Sequence, residues 1–268
     1  MYDIEPHVAE IYDQVETQTQ DVALIRRLIS GRGPLRILEP FFGTGRILLP
    51  LVLDGHRVVG MDQASGMLAR ARSKLDCLPE RARERADLLQ TDVLAGAWPS
   101  GFDLVILGGN CFYELAAPEE QERCIAYAAQ SLNPGGAIYV DNDHMEGELD
   151  EAWKVMESRP SFPTGVCADG VQLASTVQTV WYDSARRLAR FCRRTVLSFP
   201  DGRKVERQSV QQKHPVSVSE VRTWLERHGL SVEHVYGDWA ATPYDSASPR
   251  AIFWAKMPVS SPYSRRNV

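Results

Sequence analysis

The stretch from Leu35 to Asp62, LRILEPFFGTGRILLPLVLDGHRVVGMD, constrains this chain more than any other. Its apolar run Leu35, Ile37 and Leu38 breaks at Glu39-Pro40, passes through Gly43-Thr44-Gly45, and resumes with helical spacing at Ile47, Leu48, Leu51 and Val52. The pattern predicts a strand, a glycine-rich turn and a helix. Gly55 stops that helix, Val58 and Val59 start a second short strand, and Asp62 stands just past its end. A strand, loop, helix and strand in this order make half of a doubly wound α/β sheet, which takes its ligand at the carboxyl ends of the strands. Small residues at Gly43 and Gly45 let the backbone approach a ligand, and the helix start offers free N–H groups. A carboxylate at the tip of the second strand, Asp62, can take both hydroxyls of a ribose.

Two cofactor classes fit such a unit. The dinucleotide fingerprint G-x-G-x-x-G needs a third glycine for close helix-strand packing, whereas the run here is Gly43-Thr44-Gly45-Arg46-Ile47-Leu48. Glu39 also ends the first strand, where a pyrophosphate gains nothing from negative charge but a ligand with a positive end does. The segments Glu39-Pro-Phe-Phe-Gly43-Thr-Gly45-Arg46, Gly55 to Asp62, and Ser65-Gly-Met67-Leu68 resemble the class I S-adenosylmethionine-dependent methyltransferases, small-molecule branch. The first motif of that family is an acidic residue followed by G-x-G. The resemblance runs from Leu35 to Val140 and more loosely beyond, and a Pro134-Gly135-Gly136 turn before a strand extends it. One departure is Phe41-Phe42, where the family often has a small residue or cysteine.

The resemblance implies S-adenosyl-L-methionine as cofactor. It also implies a cofactor-binding set of Tyr12, Glu39, Phe41, Gly43, Gly45, Arg46, Asp62, Gln63, Met67, Asp92, Val93, Gly108 and Asn110. Tyr12 enters as the inward tyrosine of an N-terminal helical cap over about residues 1–30, and packing on the core is its alternative. Asp92 enters as the acceptor for the adenine amine, against a simple turn aspartate.

The expected fold is α/β, a doubly wound, mostly parallel seven-stranded sheet in the family order 3-2-1-4-5-7-6, with an inserted antiparallel β-meander. One domain is expected over 1–258, with the β insertion at about 165–213 and a flexible tail at 259–268. Within it, Ser65 is expected to cap a helix, and Phe102 to Leu107 is apolar enough for a central strand. A helix is expected to open at Pro118, and Met145 to Glu157 is expected to be helical. The meander comprises Val171 to Trp181, Arg187 to Phe199 and Lys204 to Gln212, three strands that serve as a lid, a substrate wall or a homodimer surface. Ser217 or Ser219 caps the helix Val221 to His228.

Composition narrows the function. With 268 residues, 44% hydrophobic and 24% charged, the chain can bury a full core. A formal net charge of -5 argues against a general nucleic-acid binder, which needs a basic face to displace counterions. Five cysteines without C-x-x-C or Cys/His ligand spacing indicate reduced thiols rather than a disulfide framework or zinc. No apolar run approaches the ~18 residues of a membrane span, and no charged-then-apolar leader is present, so a cytoplasmic protein with no membrane partner is expected.

The acceptor side gathers at Gly108-Gly109-Asn110-Cys111-Phe112-Tyr113 and at Asp141-Asn142-Asp143-His144, the ends of the fourth and fifth strands. Asn110 and Tyr113 are candidates to position a small-molecule methyl acceptor, and Cys111 is a poor nucleophile with no base beside it. Asp143 or His144 is a candidate general base, and turn or cap chemistry is the competing reading. Asp141-Asn142 resembles the metal-dependent catechol-type O-methyltransferases, but the fourth strand lacks the aspartate those enzymes carry, so no metal is expected. Trp239 and Tyr244 are placed in a loop long enough to line the cleft, and His214 stays open as a functional residue. The reaction expected is in-line transfer of a methyl to a nitrogen or oxygen, which gains mostly from alignment of the reactants. The alternatives are a non-catalytic cofactor-binding regulatory domain and, behind it, an NAD(P)-dependent oxidoreductase.

Overall fold

A computed structural model describes residues 6–259. The elements of the first half are α1 (Pro6–Val15), α2 (Gln20–Leu28), β1 (Arg36–Pro40), α3 (Leu48–Leu53), β2 (Arg57–Asp62), α4 (Ser65–Asp76), α5 (Glu80–Arg83), β3 (Ala86–Gln90) and β4 (Phe102–Leu107). Then come α6 (Pro118–Ser131), β5 (Leu132–Asn142), α7 (Glu151–Lys154), β6 (Arg159–Val166), β7 (Gln172–Asp183), β8 (Leu188–Ser198) and β9 (Lys204–Lys213). The chain finishes with α8 (Val218–Arg227), β10 (Ser231–Tyr236) and β11 (Ala251–Lys256). The tail expected to be flexible lies, apart from Val259, outside the described residues.

Seven strands form one sheet in the order β3-β2-β1-β4-β5-β11-β10, parallel except for β11, which is antiparallel to both neighbours. This is the expected 3-2-1-4-5-7-6 order with the insertion strands counted in. Central strands carry apolar side chains on both faces, as a sheet covered on both sides requires. Leu38, Val105 and Val140 pack under α6 and α8 residues, and Ile37, Leu104, Ile106 and Tyr139 pack under α2 and α3 residues. The carboxyl ends of β1, β2, β4 and β5 therefore meet along one edge, bringing Glu39, Asp62, Gly108 and Asp141 to the same side.

Local chemistry explains most of the ends. Pro118 opens α6, with Glu119 and Glu120 in its positive first turn. Ser217 closes a capping box at α8: its Oγ accepts the Glu220 N–H at 3.2 Å, and Glu220 Oε2 accepts the Ser217 N–H at 2.8 Å. At α4 the cap position falls on Ala64 and Ser65 is the first helical residue, so the hydroxyl expected to cap is one residue too late. The Ala64 N–H donates instead to Asp62 Oδ1 at 2.8 Å. β5 starts at Leu132 rather than after the Pro-Gly-Gly turn, because Gly135 N–H donates to Met257 O and Met257 N–H to Gly136 O, tying that turn to the end of β11.

The insertion is a separate antiparallel sheet in the order β6-β7-β8-β9, so the expected three strands become four. Its first strand contains Pro160, Pro163 and Gly165, with the register slipping between Ser161 and Gly165; prolines are tolerated because β6 is an edge. The helix expected over Met145 to Glu157 contracts to the single turn of α7. Met145 N–H is used by Val216 O and Val155 O accepts the Thr179 N–H, so this stretch is strapped to its neighbours instead of to itself.

Helix α1 has two buried faces. Val8 and Ile11 pack with Cys167, Val171, Leu173 and Leu197 of the insertion, and Gly165 approaches so closely that an added Cβ would stand 2.7 Å from Ile11 Cδ1. Ala9 packs with Ala64 and Met67 at the start of α4, joined by Tyr12. Asp13 secures that second face, accepting from Thr44 Oγ1 at 2.6 Å, Arg70 Nε at 2.7 Å and Lys74 Nζ at 2.9 Å.

The paired phenylalanines have a structural reason. Phe41 takes a left-handed φ of 62° while its N–H donates to Met61 O at 2.7 Å, which turns Phe42 down into the core. There Phe42 occupies the space left by Gly60, whose added Cβ would lie 2.6 Å from Phe42 Cδ1 and 2.7 Å from Leu48 Cδ1. Gly60→Ala is therefore expected to destabilise the protein by about 1–3 kcal/mol by overpacking. Urea unfolding should show a lower midpoint at unchanged slope; an unchanged midpoint would contradict this account of Phe42.

Candidate functional site

A cavity opens at the carboxyl edge of β1, β2 and β4, closed over by α1. Glu39, the next-to-last residue of β1, is 4% exposed, and its Oε2 has no hydrogen-bond partner. Burial pushes its carboxyl well above the usual range; Arg46 pulls the other way, and Asp21 and Asp62 add to the rise. Asp62, at the tip of β2, accepts the Gly43 N–H at Oδ2 and the Ala64 N–H at Oδ1, both at 2.8 Å. It fastens the glycine loop to the start of α4, and its carboxyl is raised by burial against those two amides.

Tyr12, Phe41, Gly43, Arg46, Gln63, Met67, Val93 and Gly108 also line this cavity. Arg46 is held by Gln18 O at 2.9 Å and Asp21 Oδ1 at 2.8 Å, which fixes the α1–α2 connection across the cavity wall. Burial raises the Tyr12 hydroxyl to about 12, opposed by the nearby Arg46 guanidinium. Cys111 lines the cavity too, but burial pushes its thiol well up, the opposite of what a nucleophile needs.

Three residues expected here are placed otherwise. Gly45 is used for packing: its N–H donates to Phe42 O, and an added Cβ would lie 3.1 Å from Leu49 Cγ. Asp92 is exposed and outside the lining, its Oδ1 accepting the Leu94 N–H at 2.8 Å in a local turn. Asn110, in a left-handed conformation with φ 61°, clasps the end of β5: its Nδ2 donates to Asp143 Oδ2 at 3.0 Å and its Oδ1 accepts the Asp143 N–H at 2.6 Å.

Asn110 instead lines a second cavity, which shares Tyr12, Arg46, Gly109 and Glu114 with the first and adds Tyr113, Lys213, Trp239 and Arg250. Arg250 was invisible as a site residue in the sequence, since nothing in its Ser-Pro-Arg setting marks it. It donates from Nη1 to Asp141 Oδ1 at 2.7 Å and from Nη2 to Asp143 Oδ1 at 2.6 Å. Asp141 is 1% exposed, and its Oδ2 also accepts from Trp239 Nε1 at 2.7 Å and Tyr139 OH at 3.0 Å. The guanidinium carbon lies 4.2 Å from the Trp239 ring centre. The Asp141 oxygens are thus occupied by donors, and Asn142 Oδ1 accepts the Phe112 N–H. Among the described residues no group of three or more His, Cys, Asp or Glu is placed to hold a metal ion.

Of the three catalytic candidates, Tyr113 lines the second cavity, its hydroxyl pushed up by burial and then by Asp143. Asp143 touches that cavity through Asn110 and Arg250. His144 lines neither; its Nε2 is 3.1 Å from Tyr244 OH with the rings edge to face, and its Nδ1 is buried without a partner. His214 is likewise structural, bonded to Gln121 Oε1 at 2.9 Å and facing Glu220, whose carboxyl is held down to about 2 against its burial by His214 and Ser217. No helix of the described residues is long and apolar enough to cross a membrane.

Residues 37–136 match a family described as a methyltransferase domain. The chain is similar to a glycine/sarcosine N-methyltransferase of Halorhodospira halochloris, 28% identical over 223 residues that make up 81% of this chain and 73% of the relative. Among solved structures it is similar to the sugar N-methyltransferase KedS8 of Streptoalloteichus, with TM-score 0.69 and 17% identity over 92% of this chain and 91% of that one. It is also similar to S-adenosylmethionine-bound CalS10, an amino pentose methyltransferase of Micromonospora echinaspora, with TM-score 0.64 and 19% identity over 95% and 97%.

Proposed function

We propose that the chain is an S-adenosylmethionine-dependent methyltransferase acting on a small molecule, and that the atom it methylates is an amine nitrogen. Bound S-adenosylmethionine supplies a methyl carried by a sulfonium. The residues present fit such a group: Glu39 offers a buried, partnerless carboxylate oxygen to the cationic amino-acid end. In this reading Asp62, oriented by its two amides, keeps lone pairs free for ribose hydroxyls, and Met67 and Val93 give the apolar wall beside them. Gly43 and Gly108 leave room for close approach.

The observation that carries the nitrogen reading is Glu114, the single carboxylate on the wall shared by the two cavities among the described residues. Methyl transfer moves positive charge from sulfur to the accepting atom. When that atom is an amine nitrogen, the product is an ammonium, and a carboxylate beside it stabilises the charge as it develops. Among the described residues no histidine lines either cavity, His144 being turned to Tyr244, and the Tyr113 hydroxyl is raised. A hydroxyl acceptor would need a base; an amine that arrives neutral does not. The naming of the relatives as N-methyltransferases supports the same choice.

Glu114→Gln is expected to lower kcat on a primary or secondary amine by about a hundredfold to a thousandfold, the range for losing one charge-stabilising group. Affinity for S-adenosylhomocysteine should not change. Matched panels of small amines and alcohols, assayed by S-adenosylhomocysteine release, decide it. Turnover of the alcohols alone would refute the nitrogen assignment.

A further inference from the structure

We propose that Lys213 is an anion receptor of the acceptor cavity, and that the methyl acceptor carries a carboxylate or phosphate seated on its ammonium. Lys213 is the last residue of β9, and the residues before it fix that strand end. Gln211 Nε2 donates to Tyr113 O at 3.1 Å, and Gln212 Nε2 donates to Ala116 O at 2.9 Å. The lysine is thereby held beside the turn that bears Tyr113 and Glu114. It is half-buried and lines the second cavity.

What distinguishes Lys213 is the absence of a partner. The other cations of this cavity are committed: Arg46 to Asp21 and Gln18 O, Arg250 to Asp141 and Asp143. Lys213 makes no side-chain hydrogen bond or ion pair among the described residues, and its Nζ lies 5.7 Å from the Tyr113 ring centre. A contact at that distance compensates weakly for lost hydration. Glu114 lines the same cavity without reaching it, its Oε2 accepting from Gln211 Nε2 at 3.4 Å, so a cation and an anion face a common space without pairing to each other. Burial lowers the Lys213 ammonium below its usual range, with Glu114 opposing and Arg193 assisting. Taking an ammonium out of water with no partner is unfavourable, and a ligand anion offsets that penalty only while bound. A molecule with an amine toward Glu114 and an anionic group toward Lys213 matches both charges at once.

This deepens the methyltransferase reading, resting on it for the identity of the cavity. The test therefore reads binding. Wild type, Lys213→Met and Lys213→Arg, each saturated with S-adenosylhomocysteine, are titrated at fixed ionic strength with acetate, inorganic phosphate and acetamide by ligand-observed NMR. One anion should saturate wild type, weaken at least about tenfold in Lys213→Met as expected for loss of a charge-assisted hydrogen bond, and be retained in Lys213→Arg; acetamide should not bind. Preference for acetate or phosphate tells which anion the acceptor carries. An unchanged S-adenosylhomocysteine affinity shows that the variant is folded, and Lys213→Gln replaces Lys213→Met if it is not. Equal anion binding by wild type and the neutral variant, or no saturable binding to wild type, overturns the proposal. Failure of amine methylation would instead overturn the nitrogen reading and leave an anion result standing.

Discussion

Glu39→Gln is expected to make the ligand-free protein more stable while weakening S-adenosylmethionine binding by about a hundredfold to a thousandfold. Both effects come from one atom. Oε2 of Glu39 is buried with no donor, and an unsatisfied buried polar atom costs roughly 1–3 kcal/mol, more when charged. A glutamine keeps the shape and removes the charge, so thermal unfolding without ligand should move upward. The same charge is the cavity's deepest attraction for a cationic group, and truncating one side of a buried charge pair costs about 2–5 kcal/mol of binding.

The pH dependence separates this from simple repacking. Because burial raises the Glu39 carboxyl above its ordinary value of 4.5, the folded protein holds that proton more tightly than the unfolded chain. The stability it contributes is fully present below 4.5 and is lost as pH rises through the raised folded value. Wild type should therefore gain less stability than Glu39→Gln over that window, and its affinity for the cationic cofactor should weaken as pH falls through the same window. Calorimetric melting and binding from pH 4 to 8 measure both; parallel stability profiles for the two proteins would sink the explanation.

Arg250→Met is expected to cost about 3–5 kcal/mol of stability, because it strands the Asp141 carboxylate at 1% exposure with only Trp239 and Tyr139 as donors. Burial already pushes that carboxyl upward, and the Arg250 guanidinium is the first influence holding it down. For a chain of this size the loss corresponds to a melting temperature lower by about 10 °C. Methyl transfer should fall as well, since the same guanidinium holds Asp143 and, through it, Asn110 at the cavity. Adding Asp141→Asn to Arg250→Met should recover part of the stability, because the group left behind is then neutral. Urea unfolding of the two single variants and the double measures the coupling; strict additivity would mean that the pair does not interact.

What the sequence disclosed and what it withheld divide along contact range. Glu39, Gly43, Asp62 and Met67 sit within one strand-loop-helix-strand-helix run, so their spacing in the chain is nearly their spacing in space. The sheet order followed from the family resemblance that this run carries, while the apolar Phe102 to Leu107 marked β4 as buried on both faces. Arg250 and Lys213 reach the second cavity beside Asp141 and Tyr113, about a hundred residues away in the chain, and a lone basic residue in a loop or at a strand end has no local signature. β6 was missed because Pro160, Pro163 and Gly165 erase the alternation that marks a strand. The histidine of Asp143-His144 looked like a base by its neighbours in sequence, while in space it answers to Tyr244.

The two-faced helix α1 gives the molecule a thermodynamic property that neither half has alone. Its Ala9 and Tyr12 side rests at Met67 on the wall of the first cavity, and its Val8 and Ile11 side rests on the inserted sheet that carries Lys213. A displacement of α1 at one seat must be accommodated at the other, so any ligand that moves α1 couples the two cavities. Such a coupling is reciprocal: whatever factor a ligand of the first cavity adds to affinity at the second, a ligand of the second adds to affinity at the first.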